Sequence, residues 1–523
     1  MWTATGVSAD DLKAKNRKVV RLNGKQILMI ASGGEIFAIA NRCPHEGYPL
    51  SEGTEGLECI LTCNWHNWKF DLRTGAALVG RDPVRTHTVE LRDGEIFLDL
   101  TEPPAEAMKE RALKGLDAGL ADNDRPRMAR EVARLEASGF DAKTALVHAL
   151  RSRGNRLEYG MTHAHAAAAD WIALADRAPS DEARFAAMLE PLGHLAWDTL
   201  GAPEYPYADG VTSWDEKTFL NAMEAEDEAA ALACIRGALW ESIPYAHLRR
   251  MLAASALSHY ADFGHSAIYA LKAGHLIDRL SADAMEPVLF ALVRQQISAT
   301  REERLPEFRG YAKALAAWDG KGDAPAKTAD FIGLTIDGAL KRTLGSSGRP
   351  VRELYDALLG AAAFNLLHFD LGYDAATANP IADNISWLDF THALTFANAT
   401  RHLCADRPSL WPQALLQMAL FVGRNRGYVD AKQDVARWRV NDIGGFIETN
   451  MATLYDHGIV EPIIACHRVK MLFALEDEVA AAPSAPWLND MASAMNRWLH
   501  TPQKRHHGLR IATQARDFVA REG

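Results

Sequence analysis

No run of about 18 consecutive apolar residues occurs in this 523-residue chain, so no membrane-spanning helix is expected. Positive charge is in short supply, with 57 Lys and Arg against 68 Asp and Glu, a net charge of −11. That balance argues against nucleic acid or an anionic membrane as a partner. Only six cysteines are present in 523 residues, and with two of them in the Cys–His motifs read below they leave no disulfide framework. The start, Met1-Trp2-Thr3-Ala4, lacks the basic and apolar regions of a secretory signal, and a cytoplasmic location is expected. No G-x-G-x-x-G follows a strand pattern, so no dinucleotide site is expected. What is present is ordinary for a globular protein: 48% hydrophobic and 24% charged residues, with length for about two to four domains.

The texture changes once, at Glu102-Pro103-Pro104. Before it, short apolar-rich runs alternate with turn residues: Val19–Leu22, Gln26–Ile30, Glu35–Ile39, His87–Leu91 and Glu95–Leu100 read as strands. Gly24, Gly33-Gly34 and Asp93-Gly94 mark their hairpins. Leu57–Thr62 is expected as a further strand, with Cys59 in its core. After the break, Ala-rich segments with helical spacing follow one another, among them Met108–Leu120, Ala164–Ala175, Ala267–Leu280, Val351–Phe364, Ala393–Cys404 and Ile463–Ala482. A polar stretch, Asp319-Gly320-Lys321-Gly322-Asp323-Ala324-Pro325, divides them. The expected fold is multidomain. A small all-β domain, residues 1–103, precedes a large all-α region with an internal duplication, in halves 104–318 and 328–523.

The β region carries Cys43-Pro44-His45 and, after a spacer of 17 residues, Cys63-Asn64-Trp65-His66. Each half offers one thiolate and one imidazole from a tight loop. Zinc fingers usually pair Cys with Cys and His with His, so a mixed pair in each half favours another metal group, with zinc as the plainer reading. The segment from His66 to Gly75, His66-Asn67-Trp68-Lys69-Phe70-Asp71-Leu72-Arg73-Thr74-Gly75, resembles that of Rieske ferredoxins and ring-hydroxylating oxygenases. The resemblance covers the whole β region. It implies a [2Fe–2S] cluster with Cys43 and Cys63 on one iron and His45 and His66 on the other. Asn64 and Asn67 depart from the usual Pro and Gly. Glu46-Gly47 and Trp65 stand where the respiratory type would add cysteines, so the oxygenase/ferredoxin type is implied.

Oxygenases of that type continue into a mixed α/β domain with D-x-x-H-x₄-H. No H-x₄-H occurs here. Instead Asp262-Phe263-Gly264-His265 and Asp389-Phe390-Thr391-His392 repeat one pattern, each with a second His, His275 and His402, after nine intervening residues. Duplication is the simplest account. Asp and His three apart share a helical face, the spacing of carboxylate–histidine metal ligands in di-iron bundles. Helix capping by Asp262 and Asp389 is the alternative. His275 and His402, ten residues on, are expected to point away from such a site.

His163, His265, His392 and His467 each follow a small residue near the start of an apolar helical run. In this pattern, with Lys470 three residues after His467, residues 155–500 resemble the questin-oxidase-like family, which is all-helical. The Arg of its H-x-L-I-R motif is Tyr269 here. The resemblance implies oxygen-dependent chemistry on an aromatic compound. Trp387, Phe390, Phe396 and Trp411 are expected in the core rather than in a pocket, and His506-His507 in a solvated tail.

Together these readings point to a Rieske-dependent non-haem iron oxygenase. Electrons would come from an external reductase or ferredoxin, with NAD(P)H acting only through that reductase. O2 and a small apolar organic substrate would meet at His163, Asp262, His265, Asp389, His392 and His467. A homo-oligomer is compatible with such a relay. Two alternatives stand beside it: a metal-independent oxygenase with a His base, and a non-enzymatic electron carrier or redox sensor.

Overall fold

A computed structural model describes residues 1–376, 379–380, 384–501 and 508–522; His506 and His507 lie outside the described residues. Two compact units result, one of residues 1–116 with 129–140 and one of 117–128 with 141–523.

The first unit holds three antiparallel sheets. Arg17–Leu22, Lys25–Ser32, Glu35–Ala40 and Thr86–His87 form one, and Trp2–Ser8, Glu95–Asp99 and Val89–Arg92 another. The third is Thr54–Glu55, Ile60–Thr62, Lys69–Asp71 and Ala77–Val79. Two hairpins turn through Asn23-Gly24 and Asp93-Gly94, with positive φ at both residues of each pair, as two-residue turns between twisted strands require. The run Ile27-Leu28-Met29-Ile30 has no polar face because both faces of its strand are covered. Ile27 and Met29 join a cluster with Leu12, Ile96 and Leu98. Leu28 and Ile30 join another with Phe37, Leu61 and Phe70, and that second cluster also takes Cys43 and Cys63.

Leu57–Thr62 differs from expectation. Residues Leu57–Cys59 form a 3₁₀ turn, and the strand begins only at Ile60. Positive φ at Glu58 and Cys59 breaks the pleat there. Cys59 is buried as expected, with Sγ 3.6 Å from Ser32 Oγ. The unit also extends past Glu102: residues 105–116 and 129–140, from the helices Ala105–Asp122 and Arg125–Ala137, belong to it. Gly115 permits this pairing, because a Cβ there would stand 2.5 Å from Glu131 Cδ.

The second unit is helical. Among its described residues the β pairing is confined to an isolated bridge between Phe369 and Val429. The halves expected at 104–318 and 328–523 fall largely within this one unit. Four helices matter most: His163–Ala175, His265–Arg279, Trp387–Asp406 and Pro462–Ala481. The second and third run parallel and adjacent. His265 and His392 have ring centroids 4.3 Å apart, and ten residues on His275 and His402 are 6.1 Å apart. Trp387, Phe390 and Phe396 are fully buried, the core role expected of them, whereas Trp411 at the start of its helix is only half-buried. The helix Asp181–Asp198 carries no clear sequence signature, since Pro191 and Gly193 interrupt its pattern.

Candidate redox and metal centres

The two loops of the first unit are built alike. In each, the amide four residues after the cysteine donates back to the cysteine carbonyl, Gly47 to Cys43 at 2.8 Å and Asn67 to Cys63 at 3.0 Å. Each cysteine amide in turn donates onward, Cys43 to Tyr48 O and Cys63 to Trp68 O. Gly47 and Asn67 both have positive φ, 75° and 59°, a conformation Asn tolerates better than most side chains. That is why Asn67 can replace glycine. Asn64 also has a role, accepting from Thr54 Oγ1 at 2.9 Å and donating to Glu52 O at 2.7 Å.

The donor set fits a bound metal group. The Cys43 and Cys63 side chains are buried side by side, and burial pushes the Cys43 thiol up to about 11. The imidazoles of His45 and His66 lie edge to face at 4.7 Å, and His45 Nδ1 is buried without a hydrogen-bond partner among the described residues. Buried polar atoms are rarely left so. Aromatic rings fix both imidazoles: Trp68 stacks on His45 at 4.8 Å, and Trp65, 57% exposed, stacks on His66 at 5.2 Å. A cavity of about 1310 Å³ opens beside Cys43, Pro44 and His45, and its walls include Arg42, Arg111, Arg130 and Arg134.

A second cluster lies in the helical unit. Successive Nε2 atoms of His265, His163, His392 and His467 are 3.3, 3.5 and 3.0 Å apart. Three of the rings have their other nitrogen engaged outward. His265 Nδ1 lies 2.6 Å from Asp262 O and His467 Nδ1 2.7 Å from Ile463 O, both as donors to carbonyls. His163 Nδ1 lies 3.0 Å from the Tyr269 hydroxyl. For His265 and His467, the Nδ1–H given to a carbonyl leaves the Nε2 lone pair facing the centre. Such a lone pair accepts either a neighbouring imidazole N–H or a cation. Two nitrogens about 2.0–2.1 Å from one first-row ion stand about 3 Å apart, the separation seen.

Electrostatics keep these imidazoles neutral. Burial lowers His163, His392 and His467 well below the ordinary range, and the Lys470 ammonium adds to it; His265 is lowered less, with Asp262 opposing. Lys470 is fully buried, and its Nζ has no hydrogen-bond partner among the described residues. A second buried lysine, Lys272, is paired with Asp170 at 2.7 Å.

Of the six residues the sequence put at this site, the structure brings the four histidines together, and neither carboxylate joins their Nε2 atoms, although Asp389 lines a cavity with His265 and His392. Asp389 closes a capping box with Ser386, whose amide donates to Oδ2 at 2.9 Å, while Oδ1 pairs with Arg424 at 3.1 Å. Asp262 sits in a 3₁₀ turn with φ 47°, ahead of the helix, so the expected shared helical face does not exist there. Its backbone carbonyl, not its carboxylate, makes the short contact to His265. Helix-start placement also holds for only two: His163 and His265 open their helices, whereas His392 and His467 are each sixth in theirs. His275 and His402 stay outside the cluster, and His402 pairs with Asp477 at 2.6 Å. Two further residues escape a reading of the sequence: Tyr269, visible there only as a departure from a motif, and Arg424. Neither carries a local signal, because their partners lie far off in the chain.

Among the described residues no helix is long and apolar enough to cross a membrane. A small antiparallel β domain with a Cys–His loop pair defines an iron–sulfur electron-transfer module. Residues 2–90 match the Rieske [2Fe-2S] domain, and through this region the chain belongs to the Rieske family. It is 38% identical over 78 residues to the 3-phenylpropionate/cinnamic acid dioxygenase ferredoxin subunit of Escherichia coli K12, covering 74% of that protein and 14% of this chain. It is 32% identical over 142 residues to the terminal oxygenase component of carbazole 1,9a-dioxygenase from a Sphingomonas species. That match spans 25% of this chain and only 38% of the oxygenase's length. Among solved structures, the ferredoxin of carbazole 1,9a-dioxygenase from Nocardioides aromaticivorans IC177 is 27% identical, with a TM-score of 0.18 over 19% of this chain and 99% of that one.

Proposed function

We propose that this chain is a Rieske-dependent oxygenase whose oxygen chemistry takes place at the four-histidine centre. Cys43, His45, Cys63 and His66 would hold the [2Fe–2S] cluster, which supplies single electrons. His163, His265, His392 and His467 would hold a non-haem iron, which supplies oxygen activation. The observation that carries the reading is the convergence of His163, His392 and His467, whose ligand atoms lie within 4.8 Å of one another with no carboxylate among them, and the approach of His265 Nε2 to within 3.3 Å of His163. The resemblance of residues 155–500 to the questin-oxidase-like family supports it, since the same four histidines carry that resemblance. Tyr269, Asp262 O and Ile463 O orient three of the rings. Phe263 and Phe421 wall the adjoining space. Lys470 offsets negative charge that arises at the centre.

The electron source would be a separate reductase or ferredoxin. Exposed Trp65 and the arginines around His45 suit an acidic redox protein docking on the first unit. Iron analysis of the purified protein tests the function. Iron above the complement of one cluster, lost in His392→Ala while the visible absorption of the cluster persists, is the expected result. Iron equal to one cluster in both proteins would leave the metal-independent oxygenase or the electron carrier instead.

A further inference from the structure

Two cavities of the helical unit meet at one residue. The inner, about 150 Å³, is lined by His265, His392, Phe263, Phe421, Asp389 and Arg424, among others. The outer, about 380 Å³, includes exposed Glu307, Thr335 and Asp337, and again Arg424. Among the described residues, Arg424 alone lines both. The inner space is bounded by two of the four imidazoles and by two phenyl rings. About 150 Å³ is the size of a cavity that admits one benzene ring.

Arg424 is held where it is by carboxylates and a ring. Nη1 pairs with Asp389 Oδ1 at 3.1 Å, Nε stands 3.6 Å from Glu307 Oε1, and the guanidinium lies 5.0 Å from the Phe263 ring centroid. The side chain is 13% exposed, and its Nε–H is buried without a hydrogen-bond acceptor among the described residues. A planar guanidinium whose Nε–H lacks a hydrogen-bond acceptor, beside a cavity of about one ring's volume, has the form of a carboxylate receptor. The Asp389 carboxylate already occupies one side of it, and the exposed Glu307 carboxylate stands 3.6 Å from another.

We propose that the natural substrate is a monocyclic aromatic acid, and that Arg424 reads its anionic group while the ring enters between Phe263 and Phe421 toward His265 and His392. This deepens the oxygenase reading by naming the substrate class, and it rests on that reading for the fate of the ring. Binding itself can be measured without turnover. Titration calorimetry with benzoate and with benzamide, which has the same shape without the charge, is the test. Benzoate is expected to bind at least about 10-fold more tightly, the preference of a charge-assisted pair. Arg424→Gln should abolish the preference and leave benzamide unchanged. Arg424→Lys should retain part of it. Asp389→Asn, which removes the internal competitor, should tighten benzoate several-fold, a gain no purely structural role for the pair would give. Thermal melts of each variant identify any that fails to fold, in which case Asp389→Asn decides. Equal affinity for the two probes, no benzoate binding, or a preference surviving in Arg424→Gln would overturn the proposal. Iron content of the same samples keeps the two ideas apart: extra iron without a benzoate preference sinks only this one, and a benzoate preference without extra iron sinks only the iron-dependent oxygenase.

Discussion

Tyr269 and Gly264 shape the histidine centre without being among its imidazoles. The Tyr269 hydroxyl meets His163 Nδ1 at 3.0 Å, and burial holds its phenol well above the ordinary range, so it stays protonated. Tyr269→Phe removes the hydroxyl that holds the His163 ring in place. Such losses typically cost about 10–100-fold in metal affinity, and competition with a chelator should show a loss of that size with the fold intact. Gly264 precedes His265 with φ +81°, and a Cβ there would stand 2.7 Å from Phe396 Cδ2 and 3.0 Å from Phe421 Cζ. Gly264→Ala therefore meets backbone strain and a clash with two rings together. The expected cost is about 2 kcal/mol or more in urea unfolding, with weakened metal binding, because His265 must shift with the turn.

At the scale of elements, the helix His163–Ala175 is begun by Thr162, whose Oγ1 accepts from Ala164 N at 3.2 Å and donates to Asp198 Oδ2 at 2.6 Å. This one residue caps the helix that presents His163 and also satisfies the half-buried Asp198 carboxyl, which loss of solvent pushes up to about 6. Thr162→Ala should cost about 1 kcal/mol for the cap and more for the abandoned carboxyl, while Thr162→Ser should restore most of it. Urea unfolding of the pair of variants checks this. The repeated Asp-Phe-x-His shows how one pattern serves two local structures. In the first copy Gly264 delays the helix until His265; in the second, Ser386 starts it six residues before His392.

Across the whole molecule, acid should destabilise the fold. Burial lowers His194 and His275 to about 3, so the folded protein binds fewer protons than the unfolded chain below the ordinary histidine value of 6.5. Stability is then lost as pH falls from about 6.5 toward 3, by up to about 1.4 kcal/mol per pH unit for each histidine. Asp198, raised to about 6, works the other way between 6 and its ordinary 3.8 and offsets roughly one of them. Denaturant unfolding from pH 7 to 4 should show a falling midpoint, with a shallower fall in His275→Gln. The two centres lie in different compact units, and each should survive loss of the other. His66→Cys should abolish the low-average-g EPR signal of the reduced cluster, and His392→Ala should leave it.

The sequence by itself determined the β-then-α order and the Cys–His loop pair. Hairpin turns, helical spacing and ligand spacing are all local, so Asn23-Gly24, Cys43-Pro44-His45 and the Ala-rich runs could be read directly. It also marked His163, His265, His392 and His467, through small residues beside them and a repeated pattern. Only the tertiary structure decided what those residues do together. It turned Asp389 to a cap and an arginine, and Asp262 to a turn, because a carboxylate takes the nearest unsatisfied donor or charge that packing supplies. It set Tyr269 on His163 across 106 residues and Arg424 on Asp389 across 35. Contacts at such separations depend on how helices pack, and no local spacing encodes them.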